Sequence, residues 1–85
     1  MLNQLRQQID KVDNELLLVL KKRMDISRQM GEYKKNKDLE IKDPNRWEEV
    51  LQSRINKGVE LGLDPDLVRE LYDSVIHKYS QAQQH

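Results

Sequence analysis

Cysteine is absent from this sequence, and so is phenylalanine. Without cysteine the chain can form no disulfide and offers no thiolate nucleophile or thiolate metal ligand. Apolar material is scarce, because hydrophobic residues make up 36% of the 85 positions and charged residues make up 35%. A single chain of this size buries only a modest core. The composition therefore predicts one small domain, over residues 1–85, that needs a partner to complete its core.

An excess of charge of either sign is also missing, since 15 basic residues balance 15 acidic ones. Dedicated nucleic-acid binders normally carry a clear basic excess, so we expect no nucleic-acid partner. No apolar run approaches the length of a transmembrane helix, and the N-terminus lacks the apolar region of a signal peptide. We therefore expect a cytoplasmic protein with no membrane partner.

Helix breakers are missing from the first thirty residues, because every glycine and proline lies at or after Gly31. Apolar residues recur there at intervals of three and four, which is the heptad spacing of a helix packed along its whole length. This stripe comprises Leu2, Leu5, Ile9, Val12, Leu16, Val19, Ile26, Met30 and Tyr33. A helix from Leu2 to Lys35 would be ~50 Å long, longer than a compact globule of this size. We expect it to bury its stripe against something outside its own chain.

Two shorter helices are predicted after a polar loop over residues 36–42. Asp43-Pro44 is a helix-start signal, with aspartate as N-cap and proline in the first turn. Two glycines near position 60 weaken and end this helix. Asp64-Pro65 repeats the start signal, and the third helix should run to about Gln83. The sequence thus predicts an all-α protein of one long and two shorter helices.

Arg23 interrupts the apolar stripe of the first helix, between Val19 and Ile26. A guanidinium at a packing position is costly unless it is paired and hydrogen-bonded. Arg23 could extend its charged end to solvent or pair with a buried acid such as Asp13 or Glu49. Alternatively, its partner is an anionic ligand, and the pattern alone leaves both interpretations open.

Two other cations share the helix with Arg23. Lys34 follows it by eleven residues, or three turns, and Arg6 precedes Lys34 by four heptads. Arg6 and Lys34 would lie ~42 Å apart along one helix, so they cannot hold one small molecule within a single chain. In an antiparallel dimer, however, Arg6 of one chain could approach the middle of the other chain's helix. Each of the two could also be an ordinary solvated charge.

Other polar residues near helix ends have both a functional and an ordinary interpretation. Arg46 lies in the first turn of the second helix, where a cation does not suit the helix dipole, so it is either held by another group or solvated. Gln83 lies on the apolar stripe of the third helix but near the chain end. His77 and His85 lack metal-ligand spacing, so we expect a helix-surface residue and a terminal residue and no metal site.

The combination of these residues resembles the AroQ-type, all-helical chorismate mutases over nearly the whole chain. The matching segments are Leu5-Arg6-x-x-Ile9-Asp10-x-x-Asp13-x-x-Leu16, Leu20-x-x-Arg23-Met24, Gly31-x-x-Lys34, Asp43-x-x-Arg46 and Gln83-Gln84. Each element alone is a weak signal, but together they place five active-site positions in register across the helices.

This resemblance implies an intertwined homodimer in which the long helices cross and each active site uses both chains. It implies that Arg6 of the partner chain and Arg23 bind the two carboxylates of chorismate, a task suited to guanidinium groups. Lys34 would contact a carboxylate and the ether oxygen, and Gln83 would donate to the same oxygen. Asp43 would lie near the ring hydroxyl.

The implied reaction is the Claisen rearrangement of chorismate to prephenate, in phenylalanine and tyrosine biosynthesis. Arg46 would support the anionic substrate or the acidic groups of the site. The reaction is a concerted pericyclic step, so it needs no nucleophile, and the resemblance implies no cofactor. The enzyme would select a compact conformer and stabilise negative charge on the ether oxygen, with Lys34, Gln83 and Arg23 as the catalytic groups.

The sequence departs from the family pattern at two positions. Many members have glutamate directly after the arginine that corresponds to Arg46, whereas this chain has Trp47 followed by Glu48. Either the hydroxyl contact is made differently here or Glu48 makes it after a small shift, and Trp47 is expected to anchor the core. Tyr79 stands where a small hydroxyl residue is often found, next to the substrate.

The segment from Arg46 to Leu51 looks most like mutase domains attached to a 3-deoxy-arabino-heptulosonate-7-phosphate synthase. The chain could therefore be one domain of a longer bifunctional enzyme, with that synthase as a fused or associated partner.

Three alternatives remain open from the sequence. Isochorismate-pyruvate lyase, a relative on the same fold, also lacks the glutamate, and Met24-Asp25 and Ile76-His77 resemble it locally. A non-catalytic helical dimerisation or regulatory module would explain the heptads but not Arg23 on the packing face. A nucleic-acid-binding helix through the basic residues 21–23 conflicts with the zero net charge.

Overall fold

The computed structural model describes residues 1–36 and 44–79, without the side chains of residues 34–36 and 44. Its elements are α1 (Leu2–Asn36), α2 (Pro44–Glu60), α3 (Pro65–Glu70) and a π-helical segment (Leu71–Ile76), after which residues 77–79 return to α-helix. Neither described range contains a strand, and both confirm the all-α class. The predicted loop over residues 36–42 and the end of the third helix near Gln83 lie outside the described residues.

The long first helix is confirmed, and it sets the shape of the molecule. The 35 residues of α1 span ~52 Å at the usual helical rise, and the chain measures 55 × 23 × 17 Å along its principal axes. Every residue from 1 to 22 is exposed, and burial begins at Arg23 and continues through Ser27 and Gly31. α1 therefore meets the rest of its own chain through its C-terminal third.

The core of the chain lies between α2 and α3. Leu51, Ile55 and Val68 form a buried cluster, and the rings of Trp47 and Tyr72 pack against it. These side chains come from faces spaced by three and four residues, so each helix contributes one apolar stripe. The core is small because it has no contribution from the first two thirds of α1.

A glycine lets α2 and α3 approach closely. Gly58 is buried inside α2, and a Cβ atom at this position would lie 2.5 Å from Cγ2 of Val68. That separation is far shorter than a normal carbon–carbon contact. The close crossing of the two helices therefore requires glycine at position 58.

Glycine and aspartate make the turn between α2 and α3. Gly62 has a φ of +87°, and the N–H of Leu63 donates to the carbonyl of Gly58 at 2.9 Å, as in a Schellman motif. Asp64 then caps α3, because its Oδ1 accepts from the N–H of Asp66 at 2.7 Å. This confirms the second helix-start signal predicted from the sequence. No helix in the described ranges combines the length and apolarity needed to cross a membrane.

Candidate functional site

Arg23 lies where α1 begins to be covered by the rest of the chain. Its side chain is half-buried, and its Cζ atom lies over the ring of Tyr72, 5.7 Å from the ring centroid. This distance is within the range of a cation–π interaction. The residue that interrupts the apolar stripe therefore faces the π-helical segment rather than open solvent.

A second ring contact joins α2 to the residue that follows the π-helical segment. The rings of Trp47 and His77 stack with centroids 3.9 Å apart and planes inclined by 21°. Trp47 packs against the core cluster, as predicted. The expectation that His77 lies on the helix surface is wrong, because it is half-buried beneath the indole ring. The sequence could not show this, since the contact depends on how the two helices face each other.

The π-helical segment Leu71–Ile76 was not predicted. A π-helix pairs each N–H with the carbonyl five residues earlier, so its turn is wider than that of an α-helix. Such turns are rare and occur often at functional sites. Here the segment carries Tyr72 near its start and is followed at once by His77, so it lies between the two ring contacts.

The other predicted cations and polar groups are distributed over the chain. Arg6 lies in the exposed part of α1, ~25 Å along the helix axis from Arg23. Arg46 and Glu48 lie in the first two turns of α2, and both are exposed. Tyr79 is exposed, and Nζ of Lys78 lies 5.8 Å from its ring centroid.

The remaining predicted site residues cannot be placed in the same way. Lys34 lies on the last turns of α1, eleven residues after Arg23, but its side chain is outside the described part. Asp43 and Gln83 lie outside the described residues altogether. The roles of all eight predicted positions, Arg6, Arg23, Lys34, Asp43, Arg46, Glu48, Tyr79 and Gln83, stay predictions.

A group of charges on the exposed side of α1 is distinct from Arg23. Nζ of Lys21 lies 2.7 Å from Oδ2 of Asp25, and Nη2 of Arg28 lies 3.4 Å from Oδ1. The hydrogen bond from Lys21 holds the pKa of Asp25 below its ordinary value of 3.8; partial desolvation opposes this, and the positive charges of Lys21 and Arg28 reinforce it. These three residues form a solvated ion-pair group with ordinary helix spacing.

A largely apolar cavity of about 200 Å³ lies between α2 and α3. Leu61, Leu63 and Leu71 line it together with one side of Tyr72, and Arg54 and Lys57 lie at its edge. Tyr72 thus borders Arg23 in one direction and this cavity in another. Among the described residues, no cluster of histidine, aspartate and glutamate side chains could hold a metal ion.

A model of the type II chorismate mutase family matches residues 5–85 of the chain. The chain therefore belongs to this family, which confirms the family predicted from the sequence.

Three relatives each match most of the chain. The T-protein of Enterobacter agglomerans is 38% identical over 77 residues, which cover 91% of this chain and 21% of that protein. The 4-amino-4-deoxychorismate mutase of Streptomyces pristinaespiralis is 33% identical over 75 residues, covering 88% of this chain and 58% of that protein. The bifunctional chorismate mutase/prephenate dehydratase of Aquifex aeolicus is 32% identical over 82 residues, covering 94% of this chain and 21% of that protein.

The chain spans about a fifth of the length of two of these relatives and less than two thirds of the third. No solved structure gives a significant match.

Proposed function

We propose that this chain catalyses the rearrangement of chorismate to prephenate, in an active site shared between two copies of the chain. The observation that carries the proposal is the half-buried Arg23, a cation on the packing face of α1 in a member of the chorismate mutase family. A guanidinium at this position, where α1 begins to be covered by the rest of the chain, can bind a substrate carboxylate through two parallel hydrogen bonds.

The proposed mechanism needs only cations and hydrogen-bond donors. Arg23 and Arg6 of a second copy bind the two carboxylates, which holds the flexible substrate in the compact conformer that reacts. Lys34 and Gln83 donate to the ether oxygen, where negative charge grows as the carbon–oxygen bond breaks. Arg46 and Asp43 complete the site at the start of α2.

The surface area of the chain supports the dimer. A compact monomer of 10.2 kDa exposes ~5,300 Å², whereas this chain exposes 7258 Å². The excess is larger than the ~800 Å² that each partner buries in a standard interface. Most of the apolar stripe of α1 is exposed in the single chain, and a second α1 lying antiparallel would cover it. The same arrangement would bring Arg6 towards the partner's site.

Trp47 stands where many family members have glutamate, so the site is compatible with more than one substituent on the substrate ring. An indole ring cannot accept a hydrogen bond from a ring hydroxyl as a carboxylate does, and Glu48 lies on the neighbouring helix position. One relative is named a 4-amino-4-deoxychorismate mutase. We propose chorismate as the substrate, with 4-amino-4-deoxychorismate and isochorismate as the competitors to be tested beside it.

Three finer points also remain proposals. Attachment to a 3-deoxy-arabino-heptulosonate-7-phosphate synthase rests on local likeness alone, and the fusion in the Aquifex relative is to a prephenate dehydratase. The cytoplasmic location and the domain limits 1–85 are likewise predictions from the sequence.

The test is the loss of chorismate absorbance with the purified chain, with prephenate identified as product. Arg23→Ala should lower kcat by ~100-fold to ~1,000-fold, because one positioned donor is lost. Arg28→Ala is the matched control, since Arg28 lies on the same helix in the solvated ion-pair group, and it should keep wild-type turnover. Turnover of isochorismate alone would replace the proposal with lyase activity, and turnover of none of the three substrates would contradict it.

A further inference from the structure

Arg23 depends on its surroundings for a defined orientation. An arginine side chain has four rotatable bonds, and a planar guanidinium binds a carboxylate well only when its N–H groups point at both oxygens. The guanidinium of Arg23 lies over the ring of Tyr72, which belongs to a different helix.

The ring of Tyr72 can support the guanidinium without competing for its donors. A cation–π contact uses the face of the aromatic ring, whereas carboxylate binding uses N–H groups in the guanidinium plane. The contact with Tyr72 can therefore constrain where Arg23 lies without itself occupying any N–H group.

Tyr72 is itself held in place from the other side of the molecule. It packs against the core cluster, and the helix that carries it is fastened to α2 by the stack of His77 on Trp47. The π-helical segment carries Tyr72 near its start and is followed directly by His77, so both ring contacts come from this part of the helix. The arrangement links Arg23 on α1 to Trp47 on α2 through a single helical turn.

We propose that Tyr72 is a positioning residue for Arg23: its ring supports the guanidinium so that the N–H groups are oriented towards a substrate carboxylate. The inference rests on the proposed function and goes beyond it, because Tyr72 is not among the residues expected to touch substrate.

The test replaces the ring without emptying the space. Tyr72→Leu removes the aromatic face but keeps an apolar side chain against the core cluster; Tyr72→Phe keeps the ring and removes the hydroxyl. We expect Tyr72→Leu to lower kcat/KM by about tenfold and Tyr72→Phe to stay within about twofold of wild type. Asp73→Ala, at an exposed position of the same turn, is the matched control and should have no effect on turnover.

A double-mutant comparison separates positioning from general packing. In an Arg23→Lys chain the cation is a point charge without a plane to orient, so adding Tyr72→Leu should lower kcat/KM by less than about twofold further. An equal tenfold loss in both backgrounds would overturn the inference, because Tyr72 would then act through the core. Wild-type turnover in Tyr72→Leu would also overturn it.

A spectroscopic measurement tests the contact independently of catalysis. Protons of the Arg23 side chain above an aromatic ring should resonate upfield in NMR spectra of the wild-type chain and of Tyr72→Phe, and return to ordinary positions in Tyr72→Leu. A wild-type spectrum without that shift overturns the inference whatever the activity. A chain that shows the shift but turns over no substrate contradicts the proposed function and leaves the contact established.

Discussion

The N-terminal part of α1 and the α2–α3 unit solve the problem of burying apolar surface in opposite ways. Val12 on α1 is 58% exposed, whereas Leu51 on α2 is 4% exposed, although both lie on regular apolar stripes. The α2–α3 unit closes its stripe within the chain by folding back at Gly62. α1 continues straight for 35 residues, so most of its stripe extends beyond anything its own chain can cover.

The two regions therefore bury their apolar surface against different partners: the α2–α3 unit against its own chain, and the stripe of α1 against a second chain. Substitutions in the α2–α3 core should act on the stability of each chain. Substitutions on the exposed stripe should act on association, and through it on any site that needs residues from two chains.

The largest expected effect is from a charge on the exposed stripe. Val12→Asp would cost a single chain little, because the position is already open to water, but in a dimer it buries two unpaired carboxylates at several kcal/mol each. We expect a monomer without measurable chorismate turnover. Sedimentation equilibrium and the absorbance assay check this.

Val59→Asp is the matched control for that experiment, since Val59 on α2 is 53% exposed but lies outside the stripe of α1. It should leave association and turnover unchanged. A Val12→Asp chain that remains a fully active dimer would contradict the view that the exposed stripe of α1 mediates association.

The next effect concerns the sharing of the site between chains. Arg6→Ala and Lys34→Ala chains should each be almost inactive alone, because each lacks a cation in every site. When they are mixed in equal amounts and allowed to exchange, half of the dimers should be mixed and each should hold one intact site. Because only half of the dimers are mixed and each of these has one intact site of two, activity should recover to about a quarter of wild type.

Exchange must be demonstrated separately, for example by mass spectrometry of differently tagged chains. Complete exchange without recovery of activity would mean that Arg6 and Lys34 serve the same site within one chain, despite ~42 Å of helix between them.

A smaller effect is expected inside the α2–α3 unit. Gly58→Ala places a Cβ atom 2.5 Å from Val68, so overpacking should lower the free energy of unfolding by ~1–3 kcal/mol. Association through α1 should not change. Denaturant unfolding measures the loss, and adding Val68→Ala should cost less than it does in the wild-type chain, because it removes the clash. Strictly additive losses would show that the two residues do not touch.

Sequence patterns predicted the elements whose signals are local. Asp64 at a helix start and the unbroken stripe of α1 each act within a few turns, so spacing and residue type suffice. The π-helical segment has no comparable signal, because it depends on what α3 packs against. Sequence reasoning therefore expected an uninterrupted third helix.

In the candidate site, too, the sequence predicted only the features that have a local signal. Arg23 stood out because a cation interrupted an apolar pattern, which is visible in one helix. Its contact with Tyr72 and the stack of Trp47 on His77 join different helices. These contacts depend on how the helices are rotated relative to one another, which the periodicity of a single helix does not reveal.

The smallest expected effect concerns the ion pairs of Asp25 on α1, whose pKa tests whether this side of the helix is open to solvent. The lowered pKa of Asp25 means that its ion pairs stabilise the folded chain at pH values above its ordinary pKa, and this stabilisation is lost as the pH falls through the lowered value. Lys21→Met should raise the pKa of Asp25 towards 3.8, although Arg28 still lowers it, and should barely change stability at neutral pH because both groups are solvated. A carboxyl titration followed by NMR checks this. A pKa of Asp25 above 3.8 in the wild-type dimer would instead indicate that the partner chain shields Asp25 from water. The surface of α1 that the partner covers would then include Asp25.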